Sequence, residues 1–254
     1  MMINATKINV DEKRKLWIVS DLHLFHKRLC KGYPNHFEET RLYETVEEMN
    51  NDIINRWNKT VQPEDQVIML GDWFLNVPYS QLASEFKKYT EILNGEFIAI
   101  CFGNHDFHLR SRVKDVNFYN KICFDYRGRH FICQHHDFNE FKLEESEVKD
   151  IDKLVLVHGH THRVEKLSEC EFGKMNNVCW ETRYDLADAT ELCSTNEEYV
   201  DIDIPESDLA IIQKKAESVG LSVSEYVKDA LVEFMENASD EDFEKIAKKI
   251  KGEE

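Results

Sequence analysis

Leu16-Trp17-Ile18-Val19-Ser20-Asp21-Leu22-His23 is the stretch that decides the fold: four apolar residues give way, within two positions, to an Asp and a His. An uninterrupted apolar run of this length fits a strand buried on both faces of a sheet. Its polar pair then falls at the carboxyl end, where open α/β sheets bind their ligands. The same arrangement recurs along the chain. Gly71-Asp72 follows Val67-Ile68-Met69-Leu70, and Gly103-Asn104-His105-Asp106 follows Phe97-Ile98-Ala99-Ile100. Gln134-His135-His136 follows His130-Phe131-Ile132-Cys133, and His158-Gly159-His160-Thr161-His162 follows Leu154-Val155-Leu156-Val157.

A lone H-x-H or G-D says little, because histidines at strand ends are usually satisfied polar residues near the surface. Five such segments in order, each behind an apolar run, imply coordination chemistry. Two divalent cations about 3.5–4 Å apart need a bridging carboxylate, neutral imidazoles and hard oxygen ligands on stiff backbone. Glycine before Asp72, Asn104 and His160 permits tight turns and close backbone approach.

At these residues the chain resembles the calcineurin-like metallophosphoesterase superfamily, whose pattern runs D-x-H, G-D, G-N-H-D/E, a lone H, then G-H-x-H. The resemblance spans about residues 16 to 185. It implies an α/β fold, an αββα four-layer sandwich, and a hydrolase acting on phosphate esters. It also implies a ligand set: Asp21, His23 and His162 for one metal, Asn104, His135 and His160 for the other, with Asp72 bridging. Mn²⁺ is the ion implied, while mixed His and carboxylate ligands also accept Fe, Zn or Ni. By the same resemblance, a metal-bridging hydroxide attacks phosphorus and His105 is the general acid or transition-state hydrogen-bond donor, paired with an acidic neighbour for which Asp21 is one candidate. A histidine suits that task because its unperturbed pKa of about 6.5 lies near neutrality.

His135 and His136 are adjacent, and strand alternation should aim only one of them at the metals. The family form of apolar, apolar, small, His matches His135, although the proline that usually follows is missing here; His158 is read as structural. Ser20-Asp21-Leu22-His23-Leu24-Phe25-His26, with Glu48-Met49, Ile53-Ile54 and Trp57-Asn58, resembles a narrower group of small bacterial and phage phosphoesterases. That likeness suggests His26 as a phosphate contact. Lys27 and Arg28 follow the first motif, Arg110 and Arg112 the third, and Arg163 the last; Arg110 and Arg163 join His26 as candidate substrate contacts. The expected substrate is a small phosphorylated or nucleotide molecule, a phosphodiester or cyclic nucleotide being favoured over a monoester, with selectivity in loops 24–45 and 107–130.

The 254 residues are 42% hydrophobic and 11% aromatic, enough for one sizeable core and a small appendage. No run approaches the ~20 apolar residues of a membrane span, and the N-terminus has no signal-peptide pattern, so a cytoplasmic protein is expected. Seven cysteines, an odd number without C-x-x-C pairing, read as reduced and mostly buried thiols. The formal charge of −17 disfavours broad nucleic-acid binding, which needs cationic side chains to displace counterions.

Helical spacing is expected over residues 46 to 59, through Val46, Met49, Ile53, Ile54 and Trp57. A second helix is expected over 81 to 93, through Leu82, Phe86, Tyr89 and Leu93. Asn177-Val178-Cys179-Trp180 reads as a further strand. The phosphoesterase domain is expected over residues 1–190, with a linker at 191–198 and a strand-helix-helix unit at 199–254. In that unit Tyr199 to Pro205 alternates as a strand. Leu209, Ile212, Ala216 and Val219 mark one helix, and Tyr226, Val227, Ala230, Leu231 and Phe234 another. This order resembles a ribbon-helix-helix domain, whose single strand pairs with that of a second chain. From Tyr199 onward there are seven Lys and Arg against fifteen Asp and Glu, and Asp201 and Asp203 occupy the strand positions that would meet DNA. A homodimer is therefore expected rather than DNA binding. Two rival readings, a non-catalytic scaffold and a DNA-binding regulator, are opposed respectively by the complete ligand set and by that acidic strand.

Overall fold

The apolar runs form the central strands of two sheets. The computed structural model describes residues 5–33, 41–148, 150–194 and 206–219, with single positions at 223, 226, 227, 230 and 239. In chain order the elements are β1 (Thr6–Lys7), β2 (Leu16–Val19), α1 (Val46–Thr60), β3 (Gln66–Met69), α2 (Leu82–Ile92), β4 (Glu96–Cys101), α3 (Phe107–Arg112), β5 (Phe118–Tyr119), β6 (Lys121–Tyr126), β7 (Arg129–Gln134), β8 (Leu154–His158), β9 (Leu167–Cys170), β10 (Gly173–Asn177), α4 (Trp180–Arg183), β11 (Ala187–Asp188), α5 (Ala189–Leu192) and α6 (Glu206–Val219).

Among the described residues, one sheet has the order β11-β2-β3-β4-β5 and the other β1-β6-β7-β8-β10-β9. Strands β2 to β5 run parallel, as do β7, β8 and β10, so their carboxyl ends lie on common edges. Alternation splits each run between two cores. Leu16, Ile18, Ile68 and Ala99 pack against Phe124, Phe131, Cys133, Val155 and Val157 between the sheets. Trp17, Val19, Val67 and Met69 pack on the other side against Met49, Ile53 and Trp57 of α1 and Phe86 and Tyr89 of α2. Burying such side chains contributes about 1.5–3 kcal/mol each. On the outer face of the second sheet, Phe138 and Leu143 cover Ile132, Leu154, Leu156 and Met175. The expected α/β sandwich is thus present.

Both helices expected from periodicity form, α1 with the Thr45 side chain accepting from the Glu48 N–H at 3.1 Å as its N-cap. The strand expected over 177–180 lies earlier, as β10, and shares only Asn177 with that stretch. Val178 donates to His158 and accepts from Ser20, and the Trp180 N–H donates to Ser20, so the chain crosses here from one sheet to the other. The apolar character of 178–180 reflects burial at that crossing, and Trp180 then opens α4.

The chain divides into units of residues 1–197 and 198–254. In the second, α6 spans the stretch marked by Leu209, Ile212, Ala216 and Val219. The expected strand at 199–205, and most of the expected second helix, lie outside the described residues. All seven cysteines are free, and four of them are buried. No helix among the described residues is long and apolar enough to cross a membrane.

Candidate metal centre

Asp21 and His23 follow β2, Asp72 follows β3, Asn104 and His105 follow β4, His135 follows β7, and His160 and His162 follow β8. Backbone bonds lace these ends together: Asp21 N–H to the Gly71 carbonyl, His23 N–H to Asp72, and Gly159 N–H to His135, each 2.9–3.0 Å. Asp21, His23, Asp72, His160 and His162 all have left-handed φ, between +46° and +68°. Each such non-glycine residue costs on the order of 1–3 kcal/mol, a strain that persists only where the surroundings impose it. Here it turns successive side chains toward one point. The glycines are there for room. A Cβ on Gly103 would run into the backbone nitrogen and carboxylate of Asp72, and one on Gly159 into Ser20 and the Asp21 carboxylate.

Asp21 Oδ1 lies 3.5 Å from Nε2 of His23 and 3.5 Å from Nε2 of His162. Asp72 Oδ2 lies between His23 Nε2, at 3.6 Å, and His135 Nε2, at 3.4 Å. His135 Nε2 is 2.9 Å from Asn104 Oδ1, and its ring centroid is 5.1 Å from that of His160. Both His135 and His136 stand beside His160, because β7 ends at Gln134 and alternation no longer governs the next two residues. His158 is buried behind them, with Nδ1 2.8 Å from the Gly159 carbonyl oxygen.

Each carboxylate has one oxygen held and one bare. Asp21 Oδ2 accepts from the His160 N–H at 2.8 Å and the Cys179 thiol at 3.3 Å, while Asp72 Oδ1 accepts from the His105 N–H at 2.9 Å. Asp21 Oδ1 and Asp72 Oδ2, the oxygens that face the imidazoles, are buried without a hydrogen-bond partner. An unpartnered buried charge is strongly destabilising, and divalent cations among these oxygens and nitrogens would remove the penalty. The donor set therefore fits such ions. The local field has the same sign: burial opposes a charged His135, but Asp72 beside it and the Asp21 charge prevail and raise it to about 9.

Residues 15–178 match the Calcineurin-like phosphoesterase superfamily domain. The chain belongs to that superfamily. Its members are phosphate-ester hydrolases that use divalent metals. The chain is 33% identical over 150 residues to an uncharacterized protein of Methanocaldococcus jannaschii, covering 59% of this chain and 70% of that one. A protein of unknown function from Aquifex aeolicus shares the fold, with a TM-score of 0.50 and 20% identity, covering 70% of this chain and 97% of that chain.

The calcineurin-like centre also uses residues to which the sequence attached no role. Arg41, 1% exposed, donates to Glu181 at 2.7 Å and to the backbone carbonyls of Asp21 and Leu22. Glu181 in turn lies 3.1 Å from Nδ1 of His162, which leaves Nε2 for a metal, the carboxylate–histidine arrangement common around metal ligands. Burial pushes the Glu181 carboxyl up, but the Arg41 charge and the His162 bond outweigh it and hold it at about 2. His135 is fixed likewise, with Nδ1 3.0 Å from the Leu70 carbonyl. Asp106 accepts from the N–H groups of Asp72, Trp73 and Gly103, tying two ligand loops together. Burial and the Asp72 charge push Asp106 up to about 7. Arg41 and Glu181 sit in no recognisable motif, and Asp106 stood inside one without an assigned task.

His105 is 43% exposed and its Nε2 is 4.0 Å from Asp72 Oδ2, while Asp21 is not within ion-pair distance of it. His26 joins the cluster, its ring centroid 5.5 Å from that of His23; burial and the neighbouring positive charges push it down to about 3. Arg110 lies on α3 with its guanidinium 5.2 Å from the Phe102 ring centre. Arg163 is exposed and lines a separate cavity of about 110 Å³ with His158 and Thr161, while its carbonyl accepts from Asn177 and Thr182.

Proposed function

We propose that this protein is a two-metal phosphoesterase acting on phosphodiesters or cyclic nucleotides in preference to monoesters. The observation that carries the reading is the pair of bare, buried oxygens, Asp21 Oδ1 and Asp72 Oδ2, set among imidazole nitrogens. Asp21, His23 and His162 would hold one cation, Asn104, His135 and His160 the other, with Asp72 shared between them. Mn²⁺ is the favoured ion. Two such cations supply Lewis-acid activation of water and of the ester.

The remaining steps belong to the chain. His105 is anchored through its backbone N–H on Asp72, yet its ring is partly open to solvent. That placement suits proton donation to the oxygen that departs as the new P–O bond forms on the opposite side. His26, whose ring lies beside that of His23, would contact the phosphate, and Arg110 and Arg163 are the further candidates. The 199–254 segment is assigned to homodimerisation through the strand expected at 199–205 from its period-two alternation, its acidic balance opposing DNA binding.

The test is reconstitution of metal-stripped protein with Mn²⁺, Fe²⁺, Zn²⁺ or Ni²⁺, assayed on diesters, cyclic nucleotides and monoesters. Turnover of diesters or cyclic nucleotides that requires two bound ions per chain is expected. Failure to hydrolyse any phosphate ester with any of the ions overturns the reading.

A further inference from the structure

Beside Asn104, His135 and His136 opens a cavity of about 600 Å³, within the roughly 300–1,000 Å³ of small-molecule sites. A group bonded to a phosphorus at the metal centre would extend into it. Phe102 and Phe141 are among the residues that line it. The Phe141 wall is held in place. The Gln134 side-chain amide donates to the carbonyls of His136, Asp137 and Phe141 at 2.9–3.3 Å, and the His136 and Phe141 ring centroids are 4.4 Å apart. Phe102 donates its N–H to the Tyr119 carbonyl at 2.7 Å and lies under the Arg110 guanidinium.

Charge decides what kind of group fits. Lys121 is bound to Glu147 at 2.9 Å, and Lys142 shares the lining with Glu140 and Glu144. Among the described lining residues the two lysines are matched by two glutamates, so the lining itself offers no net positive charge for a second phosphate. Two aromatic residues and Asn120 in the lining match a planar group with a polar edge, rather than an alkyl chain.

We infer that this cavity holds the base of a nucleoside esterified to the reacting phosphorus, with Phe102 and Phe141 as its stacking surfaces. The inference rests on the phosphoesterase reading above. Stacking of a base on an aromatic side chain is worth about tenfold or more in affinity.

Three diesters that share a p-nitrophenyl leaving group, with thymidine, methyl or octyl as the retained group, separate the possibilities. The thymidine ester should have a KM about tenfold below that of the methyl ester. Phe141→Ala, or Phe102→Leu, should bring that ratio close to one. Equal KM values in the unaltered protein, the lowest KM for the octyl ester, or a preference that survives both substitutions would each overturn the inference. Calorimetry with thymidine alone needs no turnover: saturable binding that weakens about tenfold in Phe141→Ala is expected, and none at all would also overturn it. Thymidine binding without hydrolysis of any ester would count against the phosphoesterase reading and leave the cavity assignment standing.

Discussion

Asp72 sits between the two ligand groups, with one oxygen fixed by the His105 N–H and the other turned toward His23 and His135. Asp72→Asn removes the charge that both cations would share. Elemental analysis should find metal content reduced at both positions, and two ions per chain in this variant would refute the bridging role. The His105 side chain is none of the proposed ligands and its backbone N–H stays on Asp72 in any variant, so His105→Ala should retain both metals while turnover falls by about 10²–10⁴-fold. Near-normal turnover on a substrate with a poor leaving group would remove His105 from the chemistry. Glu181 acts one step out, on the far nitrogen of His162. Glu181→Gln should weaken metal binding at the Asp21–His23–His162 group by about 10–100-fold, read by metal titration, with the other group retained.

At the scale of elements, the centre depends on loops that leave parallel strands and are tied to one another. Glu147, in the turn at 145–147, accepts from the N–H groups of Ala5 and Glu144 and from the ammonium of Lys121 on β6, and both charged side chains are over nine-tenths buried. Burial pushes the Glu147 carboxyl up, but the Glu144 N–H and Lys121 prevail and hold it below its ordinary 4.5. A carboxyl lowered in the folded state stabilises the protein above its unfolded pKa, and that stability is lost as pH falls through the folded value. The melting temperature of the intact protein should therefore fall as pH drops below about 4.5. Glu147→Gln should flatten that acid limb and, by leaving Lys121 buried without its partner, cost about 3 kcal/mol at neutral pH. An unchanged acid limb in the variant would show that the pair does not govern it.

For the molecule as a whole, every proposed ligand lies before residue 163, within the unit of residues 1–197. Removing residues 199–254 should convert a dimer to a monomer while both metals and hydrolysis of a small substrate persist. Light scattering that finds the intact protein monomeric at micromolar concentration, or the truncated one dimeric, would defeat the dimerisation proposal. Should the segment serve DNA instead, intact protein would bind duplex with salt-dependent affinity. The charges of Asp201 and Asp203 lead to the opposite expectation.

The α/β class, the order of the strand-end motifs and the two long amphipathic helices were legible in the sequence, because apolar periodicity and strand-end polarity are properties of adjacent residues. Leu16 to Val19 announces a doubly buried strand by itself, and Gly103 announces a close approach, though not what it approaches. Tertiary structure alone decided the rest. Arg41 meets Glu181 across 140 positions of chain, and His136 comes beside His160 because β7 stops one residue short of His135. The crossing at 178–180 imitates a strand because burial between two sheets demands the same apolar residues as a ladder does. Contacts between distant segments, and the point at which a strand stops, are set by how the sheets pack, which local pattern does not encode.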